Sequence, residues 1–363
     1  MAKFVDNQGR TKYRFTFGPW NIHEGADPFG PPVRTSFSFD QKLRILKDLG
    51  FDGMQFHDDD AVPDLDNKTP QQIAKSARSM KKKLDNAGIV PEFVAPRLWE
   101  TPRGIDGAYT SNSAADRRYA LERSKKAIDI ARLIGTRDIV LWLAREGTYV
   151  REAKNAIEAY RRQVDAINQM LDYDKDIRIL IEPKPNEPMD HAYVPTMGHA
   201  VAVSYMTIDP SRVGCNMESA HSILAGLDPS DEMAFALSVG KLWSVHLNDQ
   251  NGPKFDQDRA FGMVNLRRAY NQVRVLELGG YGRDGNMVGL DIKAMRPQRK
   301  PLSTKHLTHS REMFLWLLEK VRTMDRKAES ALIAARDYEG LDRLVMRHLM
   351  TGGLSEETKK KYL

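Results

Sequence analysis

Residues that could bind a divalent cation are concentrated in one stretch of the chain, between positions 213 and 258. They form three short groups: Glu218 with His221, then His246, then Asp256 with Asp258. Carboxylates combined with one or two imidazoles suit Mg²⁺, Mn²⁺ or Co²⁺. Because these groups contain no thiolates, a structural zinc site is disfavoured. The stretch therefore indicates a site for a divalent metal.

Each group alone also has an ordinary explanation. A lone Asp-x-Asp pair is most often part of a solvated loop, and a histidine at a strand end is most often a core side chain with satisfied hydrogen bonds. One short apolar run, however, lies just before Glu218 and another ends at His246. Since such runs indicate buried strands, these ligands are predicted to leave a sheet together, which favours the metal site.

The composition is that of a globular protein. Of 363 residues, 41% are hydrophobic and 29% are charged, and no apolar run is long enough to cross a bilayer. The first residues lack the apolar core of a signal peptide, and the single cysteine, Cys215, excludes an internal disulfide bond. The net charge of +6 is modest and spread along the chain. We therefore expect a cytoplasmic protein that binds neither membranes nor nucleic acid.

Strand-like apolar runs alternate with amphipathic helical stretches over most of the chain. The predicted strands cover residues 13–18, 53–56, 90–94, 137–142, 177–182, 213–216, 242–248 and 288–291. The predicted helices cover residues 39–49, 70–87, 114–134, 150–171, 196–205, 228–239, 265–276 and 303–324. Eight strand-then-helix units with continuously apolar strands predict an α/β fold, a (β/α)8 TIM barrel formed by residues 1–325.

The end of the chain is predicted to be a C-terminal helical extension. Residues 326–350 have the pattern of one or two amphipathic helices, and residues 351–363 form a polar tail. A barrel that has already closed offers these helices no core of their own. We therefore expect residues 326–363 to form an arm that packs on a neighbouring subunit, in a homotetramer or a homodimer.

Polar and aromatic side chains follow one predicted strand after another. Those at or just after the strand ends are Trp20, His57, Asp60, Trp99, Trp142, Glu182, Lys184, Glu218, His221, His246, Asp291 and Lys293. Active sites of these barrels lie at the C-terminal ends of the strands. Core packing alone would not produce this repeated pattern, so we expect these side chains to line one site.

Short motifs along nearly the whole chain resemble those of the xylose isomerases, in the shorter of their two classes. They include Phe17-Gly18-Pro19-Trp20, Phe56-His57-Asp58-Asp59-Asp60, Glu182-Pro183-Lys184, Asn216-Met217-Glu218, Lys254-Phe255-Asp256-Gln257-Asp258 and Asp291-Ile292-Lys293. Any one of these motifs is weak evidence. All of them in this order are specific for the family.

The resemblance implies a sugar isomerase of carbohydrate metabolism that interconverts an aldose and a ketose by ring opening and a metal-assisted 1,2-hydride shift. It implies two divalent cations, Mg²⁺, Mn²⁺ or Co²⁺, that share Glu218. By position, one cation would be bound by Glu182, Glu218, His246 and Asp291, and the other by Glu218, His221, Asp256 and Asp258. Both cations would act as Lewis acids on sugar oxygens.

Catalytic and substrate-binding roles are implied in the same way. His57, oriented by Asp60, would open the sugar ring as a general acid. Lys184 would stabilise charge on the carbonyl oxygen during hydride transfer. The implied substrate-binding residues are Trp20, Phe29 of a neighbouring subunit, Trp99, Trp142, Asn216 and Lys293.

This chain also departs from the family pattern. The family has an aspartate where His246 stands and a phenylalanine where Trp99 stands, and Arg97 lies in a stretch that replaces one contacting the sugar. We expect the metals to be retained, whereas the preferred sugar is left open. An imidazole in place of a carboxylate favours Mn²⁺ or Co²⁺ over Mg²⁺ at that position.

Three other functions are considered. A sugar epimerase or lyase could use the same barrel for enolisation at one metal, and His246 favours that alternative. A DNA-repair endonuclease would need more histidine ligands and a strongly basic face, which the chain lacks. A non-catalytic sugar-binding or scaffolding protein is disfavoured by His57, Asp60 and Lys184, because binding alone needs no ring-opening acid.

Overall fold

The computed structural model describes residues 4–350 together with residues 357, 360 and 361. Eight parallel strands close into a barrel, in which each strand pairs with its neighbours in chain order and the last pairs with the first. The strands are β1 (Phe15–Phe17), β2 (Gly53–His57), β3 (Val90–Ala95), β4 (Asp138–Trp142), β5 (Arg178–Glu182), β6 (Val213–Glu218), β7 (Leu242–Leu247) and β8 (Val288–Leu290). The predicted (β/α)8 barrel is confirmed.

Twelve α-helices are found among the described residues. They are α1 (Phe39–Asp48), α2 (Asp58–Ala61), α3 (Pro70–Ala87), α4 (Ala114–Ile134), α5 (Ala156–Tyr173), α6 (Met197–Tyr205), α7 (Ser219–Leu224), α8 (Pro229–Ser238), α9 (Leu266–Leu278), α10 (Lys305–Thr323), α11 (Arg326–Ala335) and α12 (Tyr338–Met350). In this part of the chain no helix has both the length and the apolarity needed to span a bilayer.

Most predicted helices are confirmed within a few residues, and α3 and α4 have the predicted bounds. The predicted start of α5 at residue 150 is wrong, because the side chain of Asn155 caps the helix by accepting from the backbone N–H groups of Ile157 and Glu158. Two short helices, α2 and α7, are absent from the prediction. Both begin directly after a strand, at the end of the barrel where the candidate ligands lie.

The apolar side chains form one large core between the barrel and its helices, with Leu46, Ile128 and Phe314 among its fully buried members. A smaller apolar cluster comprises Phe93, Ala95, Val140 and Leu180. The single cysteine, Cys215, is fully buried in β6, and burial raises the pKa of its thiol to about 12. The sheet is thus covered by apolar contacts, as the continuous strand pattern predicts.

The C-terminal helices pack partly on their own chain. Leu344, Val345 and Leu349 of α12 contact the main core, and Lys320 of α10 donates a 2.7 Å hydrogen bond to the carbonyl oxygen of His348. Other apolar side chains of the segment remain exposed, namely Ile333, Tyr338, Met346 and Met350. Most of the predicted tail, residues 351–363, lies outside the described residues.

The short helix α2, directly after β2, begins with three consecutive aspartates and is held by one buried arginine of α4. Arg123 donates two hydrogen bonds of 2.8 and 2.9 Å to Asp58, and it contacts Asp59 at 3.3 Å and Asp66 at 3.1 Å. The side chains of Arg123 and Asp58 are 5% and 0% exposed. Breaking such a pair is costly because the remaining charge stays buried without a partner. Arg123 therefore fixes the backbone directly after His57.

We expect Arg123→Met to lower the free energy of unfolding by about 3–5 kcal/mol, the usual effect of removing one partner of a buried ion pair. Guanidinium chloride unfolding measures this change. Arg161→Met is the matched control, because Arg161 pairs with Glu158 at 2.6 Å while 70% exposed, and its loss should cost at most about 1 kcal/mol. Equal losses in the two variants would contradict the role of Arg123.

Candidate metal centre and active site

A cavity of about 620 Å³ opens at the C-terminal ends of the barrel strands. Its lining includes the predicted residues Trp20, His57, Asp60, Trp99, Trp142, Glu182, Lys184, Glu218, His221, His246, Asp256, Asp258, Asp291 and Lys293. All eight strand ends contribute to this set. Closure of the barrel thus brings together side chains that are far apart along the chain.

The junction between β6 and α7 brings Glu218 and His221 together. Glu218 is the last residue of β6 and α7 begins at Ser219, so one helical turn returns His221 to the same side. His221 Nε2 lies 3.2 Å from Glu218 Oε1. His221 Nδ1 lies 3.0 Å from the carbonyl oxygen of Pro183, which can accept a hydrogen bond from Nδ1–H. That tautomer leaves Nε2 free to bind a cation.

One group of possible metal ligands is formed by Glu182, Glu218 and His246, whose ligand atoms all lie within 4.8 Å of one another. His246 Nδ1 is 3.5 Å from Glu182 Oε2 and 3.7 Å from Glu218 Oε2. Asp291 Oδ2 lies 3.9 Å from the same nitrogen, and the indole N–H of Trp20 donates to Asp291 Oδ1 at 2.9 Å. Three carboxylates and one imidazole nitrogen therefore converge on one point.

A second group consists of Glu218, His221 and Asp256, again within 4.8 Å. His221 Nε2 lies 3.2 Å from Asp256 Oδ2. Asp258 lies beside this group. The side-chain amide of Asn248 donates hydrogen bonds both to Asp258 Oδ1 and to Glu218. Glu218 belongs to both groups, and its Oε1 faces His221 while its Oε2 faces His246.

The carboxylates of these groups carry more negative charge than their neighbours balance. Burial, together with the charge of Asp256, raises the pKa of Glu218 well above its usual value, and it raises the pKa of Asp258 in the same way. Burial also acts on Glu182, but His246 outweighs it and lowers the pKa of that carboxyl to about 2. Asp256 Oδ1 is buried without a hydrogen-bond partner among the described residues. This donor set fits divalent cations, which would neutralise the charge.

Asn248 links the two groups. Its Nδ2 donates to Glu218 Oε1 at 2.8 Å, to Asp258 Oδ1 at 3.2 Å and to the carbonyl oxygen of Asp291 at 3.0 Å. Its Oδ1 accepts from the backbone N–H of Ala220 at 2.7 Å. One amide thus holds two carboxylates and the backbone of Asp291, which lie at three different strand ends, and the sequence analysis predicts no role for it.

The loop that carries Asp256 and Asp258 is held by its neighbours. The backbone N–H of Asp256 donates to Glu187 Oε2 at 3.0 Å, and Gln250 Nε2 donates to two carbonyl oxygens of the loop. Asp258 has a φ of +47°, a conformation that a non-glycine residue keeps only when its surroundings enforce it. Here its carbonyl oxygen accepts from the backbone N–H of Lys293 at 2.7 Å.

His57 occupies another part of the cavity and contacts two charged residues. Arg97 Nη2 lies 2.6 Å from His57 Nδ1, and Asp60 Oδ2 lies 3.2 Å from the same nitrogen. Because a guanidinium can only donate, Nδ1 accepts and the ring proton lies on Nε2. Asp60 also accepts from the backbone N–H of His57 at 2.9 Å, and Arg97 pairs with Asp59. Arg97 therefore shares with Asp60 the positioning predicted for Asp60 alone.

Three indoles and one imidazole form a continuous aromatic wall. The ring centroids of Trp20 and His57 are 4.3 Å apart, those of His57 and Trp99 are 5.2 Å apart, and those of Trp99 and Trp142 are 4.6 Å apart. Lys184 Nζ lies 5.2 Å from the ring of Trp142. This wall gives the cavity an apolar face that adjoins the acidic ligands, because Trp20 also hydrogen-bonds Asp291.

The remaining predicted substrate-binding residues are placed differently. Asn216 donates to Glu182 Oε2 at 2.7 Å and is not part of the cavity lining. Lys293 lines the cavity, but its Nζ lies 2.5 Å from Asp258 Oδ2. Phe29 is 80% exposed, lies outside the lining and packs on a phenylalanine of its own chain. Asn216 thus orients Glu182, and Lys293 orients Asp258. Their predicted contacts with substrate remain a prediction.

Several residues that line the cavity have no predicted role. They are His23, Glu24, Lys42, Arg97 and Glu187. Glu187 lies three residues after the Glu182-Pro183-Lys184 motif, so extending that motif along the chain could have identified it. His23 and Glu24 lie in an irregular loop after β1, where no periodic pattern indicates which side chains face inward.

Known proteins are similar to this chain in sequence. The family profile described as xylose isomerase-like TIM barrel matches residues 43–279. A xylose isomerase of Thermus thermophilus is 37% identical over 277 residues, which cover 75% of this chain and 71% of that protein.

Solved structures share the fold at low sequence identity. D-Psicose 3-epimerase with D-tagatose, from Clostridium cellulolyticum H10, superposes with a TM-score of 0.62 at 11% identity, and 84% of this chain and 99% of that chain are covered. The IOLI protein with a bound zinc atom superposes with a TM-score of 0.61 at 13% identity, and the coverage is 86% of this chain and 100% of that chain. At these identities the similarity shows the barrel fold alone.

We expect Glu218→Gln to reduce the amount of bound Mn²⁺ or Co²⁺ at both groups of ligands, because one carboxylate is common to both. Isothermal titration of the metal-stripped protein measures stoichiometry and affinity. Glu100→Gln is the control, since Glu100 lines the same cavity but pairs with Arg97. Two ions bound to Glu218→Gln with unchanged affinity would contradict the bridging position.

Proposed function

The chain belongs to the xylose isomerase-like TIM barrel family, and from this premise we propose that it is a metal-dependent aldose–ketose isomerase that acts on a small sugar. The observation that carries the proposal is the second group of ligands, Glu218, His221 and Asp256, beside the ammonium of Lys184. An enzyme that enolises its substrate at one cation needs only the group around His246. The additional buried acidic group is explained by a second cation.

Each proposed cation has four candidate ligands. Glu182, Glu218, His246 and Asp291 would hold the first, and Glu218, His221, Asp256 and Asp258 would hold the second. Mn²⁺ or Co²⁺ is preferred over Mg²⁺ in the first position, because imidazole nitrogen is a softer donor than carboxylate oxygen. When bound, such ions supply Lewis acidity to neighbouring sugar oxygens.

Lys184 is the proposed stabiliser of charge on the substrate carbonyl oxygen. Burial disfavours its charged form, but Asp256 at 2.9 Å and Glu187 at 3.3 Å outweigh burial and raise the pKa of the ammonium. Lys184 therefore stays protonated at neutral pH while its side chain is 6% exposed. A buried, oriented cation stabilises developing negative charge more strongly than a solvated one.

His57 is the proposed group that opens the sugar ring. To act as a general acid, His57 must carry a proton on both ring nitrogens, with Nδ1–H on Asp60 Oδ2 at 3.2 Å in place of the bond from Arg97. Its Nε2–H is then the proton given to the ring oxygen of the substrate, and a neutral imidazole remains. The indoles of Trp20, Trp99 and Trp142 would stack on the carbon face of the sugar and exclude water from the reacting carbons. Exclusion of water suits a direct hydride shift.

The alternative is a sugar epimerase or lyase that works by enolisation at one cation. His246 supports it, because the group Glu182, Glu218, His246 and Asp291 forms a complete four-ligand set by itself. Lys184 and the buried Asp256 are then left without a function. For that reason the isomerase is the preferred proposal.

Isotope transfer distinguishes the two reactions. Aldoses and ketoses are incubated with the enzyme and Mn²⁺, Co²⁺ or Mg²⁺ in D₂O. We expect them to interconvert without incorporation of deuterium at C1 or C2, because a hydride shift keeps the substrate hydrogen. Proton NMR of the products measures this. Deuterium on the carbon beside the carbonyl group, or inversion at C3, would establish enolisation instead.

Lys184→Met provides the matching variant. It should lower kcat about 10²- to 10³-fold, the usual effect of removing one stabiliser of transition-state charge, with metal affinity close to that of the parent. Lys47→Met, at an exposed lysine of α1, is the control. A rise in KM alone would show that Lys184 only binds substrate.

We further propose that the protein is a cytoplasmic homodimer or homotetramer in which residues 326–363 form an arm on a neighbouring subunit. Phe29, Tyr338 and Met350 are 80%, 62% and 78% exposed, which a partner surface would cover. Phe29 would then reach the neighbour's cavity.

We expect sedimentation velocity to show at least a dimer at assay concentration, because these apolar side chains would otherwise remain in water. Phe29→Ser should lower activity if the side chain completes a neighbouring site. A fully active monomer would contradict both the assembly and the role of Phe29.

A further inference from the structure

The tautomer of His246 follows from its contacts. Asn216 Nδ2 lies 3.2 Å from His246 Nδ1, and an amide nitrogen can only donate. The same Nδ1 faces the carboxylates of Glu182 and Glu218 at 3.5 and 3.7 Å, on the side where a cation would bind. Nδ1 therefore offers its lone pair, and the ring proton of the neutral imidazole lies on Nε2.

This Nε2–H points into the interior of the protein. His246 is 2% exposed, and its Nε2 has no hydrogen-bond partner among the residues that the structure describes. A buried donor without an acceptor is unfavourable, and a metal-binding histidine normally donates its second N–H to an oxygen. An acceptor for Nε2 is thus required, and an aspartate at this position would require none.

Gln55 offers such an acceptor. It lies on β2 and is fully buried, and its Nε2 donates to Glu92 Oε2 at 3.0 Å. Its Oε1 is buried and, within the described part of the chain, also has no partner. One unpaired donor and one unpaired acceptor are therefore both enclosed in the barrel.

Gly289 shows that the two side chains border the same small space. A Cβ atom at this position would lie 2.4 Å from Gln55 Nε2 and 3.2 Å from His246 Cδ2, the carbon bonded to Nε2. The amide of Gln55 thus fills the space that a side chain on β8 would otherwise take. Glycine at 289 therefore leaves room for both side chains.

Glu92 determines which way the amide of Gln55 faces. Its Oε2 accepts from Gln55 Nε2, and its Oε1 accepts from Ser244 Oγ at 3.2 Å. A carboxylate held in this way selects the nitrogen end of the amide. The oxygen end of Gln55 is consequently left available for another donor.

We propose that Gln55 is a positioning residue for His246, whose Nε2–H it accepts on Oε1 through one bridging water molecule. This contact fixes the imidazole ring with Nδ1 towards the cation. The inference rests on the proposed function to the extent that His246 is a metal ligand there. It explains why an imidazole can occupy this buried position.

A double-mutant cycle on metal affinity tests the inference. In the parent chain, Gln55→Met keeps the side-chain length and removes the acceptor, so the affinity for Mn²⁺ and Co²⁺ at the His246 site should fall about 10- to 100-fold. In the His246→Asp background the Nε2–H is gone, so Gln55→Met should leave the affinity nearly unchanged. Isothermal titration of metal-stripped protein supplies all four values.

Two further variants serve as controls. Gln55→Glu retains an acceptor oxygen, and because two buried carboxyls side by side share one proton it can still donate to Glu92. It should therefore preserve most of the affinity, which keeps the test valid if Gln55→Met folds poorly. Thr16→Val addresses a rival acceptor, because Thr16 pairs in register with Gly289 and its Oγ1 is likewise buried and unpartnered among the described residues. We expect Thr16→Val to bind metal as the parent does.

The outcomes separate this inference from the proposed function. Three outcomes would overturn the role of Gln55 alone. They are an equal loss of metal affinity for Gln55→Met in both backgrounds, no loss of affinity in the parent background, or a loss of affinity for Thr16→Val instead. Unchanged metal affinity and selectivity in His246→Asp would overturn the ligand role of His246, and the inference with it. A loss confined to the parent background supports both.

Discussion

Repulsion among buried carboxylates is the constraint on which the rest of this structure depends. Closure of the barrel forces the acidic side chains at the ends of β5, β6 and β8 towards a common point, where water cannot screen them. Glu218 is the most affected, because it faces both groups of ligands and is almost fully buried. The protein tolerates this arrangement only with compensating donors and cations around it.

The compensation is distributed over several elements. Asn248 donates to two of the carboxylates, and Lys184 and Lys293 each place an ammonium beside an aspartate of the loop after β7. Farther out, Arg123 holds the aspartates after β2 and so positions His57, which lines the same cavity. The candidate metal ligands and His57 therefore depend on separate supports, although both line one cavity.

The barrel and most of the site could be predicted because their signals are local and periodic. Continuous apolar runs identify buried strands, and the position just after each run identifies what faces the cavity, as with His57 and Glu182. The network of hydrogen bonds could not be predicted in this way. Asn248, Arg97 and Gln55 act on partners from other strands, and a single sequence contains no record of which strand ends meet. The start of α5 differs from the prediction for a related reason. The helix begins where Asn155 caps it, and the periodic apolar pattern does not show that position.

The single cysteine has a practical consequence. Cys215 is fully buried in β6, next to Asn216 and three residues before Glu218, and its thiol is protonated at neutral pH. A thiol reagent can reach it only when that strand separates from its neighbours. The rate of its modification therefore reports how often the strand that carries the shared ligand opens. Because the chain has no second cysteine, the measured rate comes from this one position beside the candidate metal ligands.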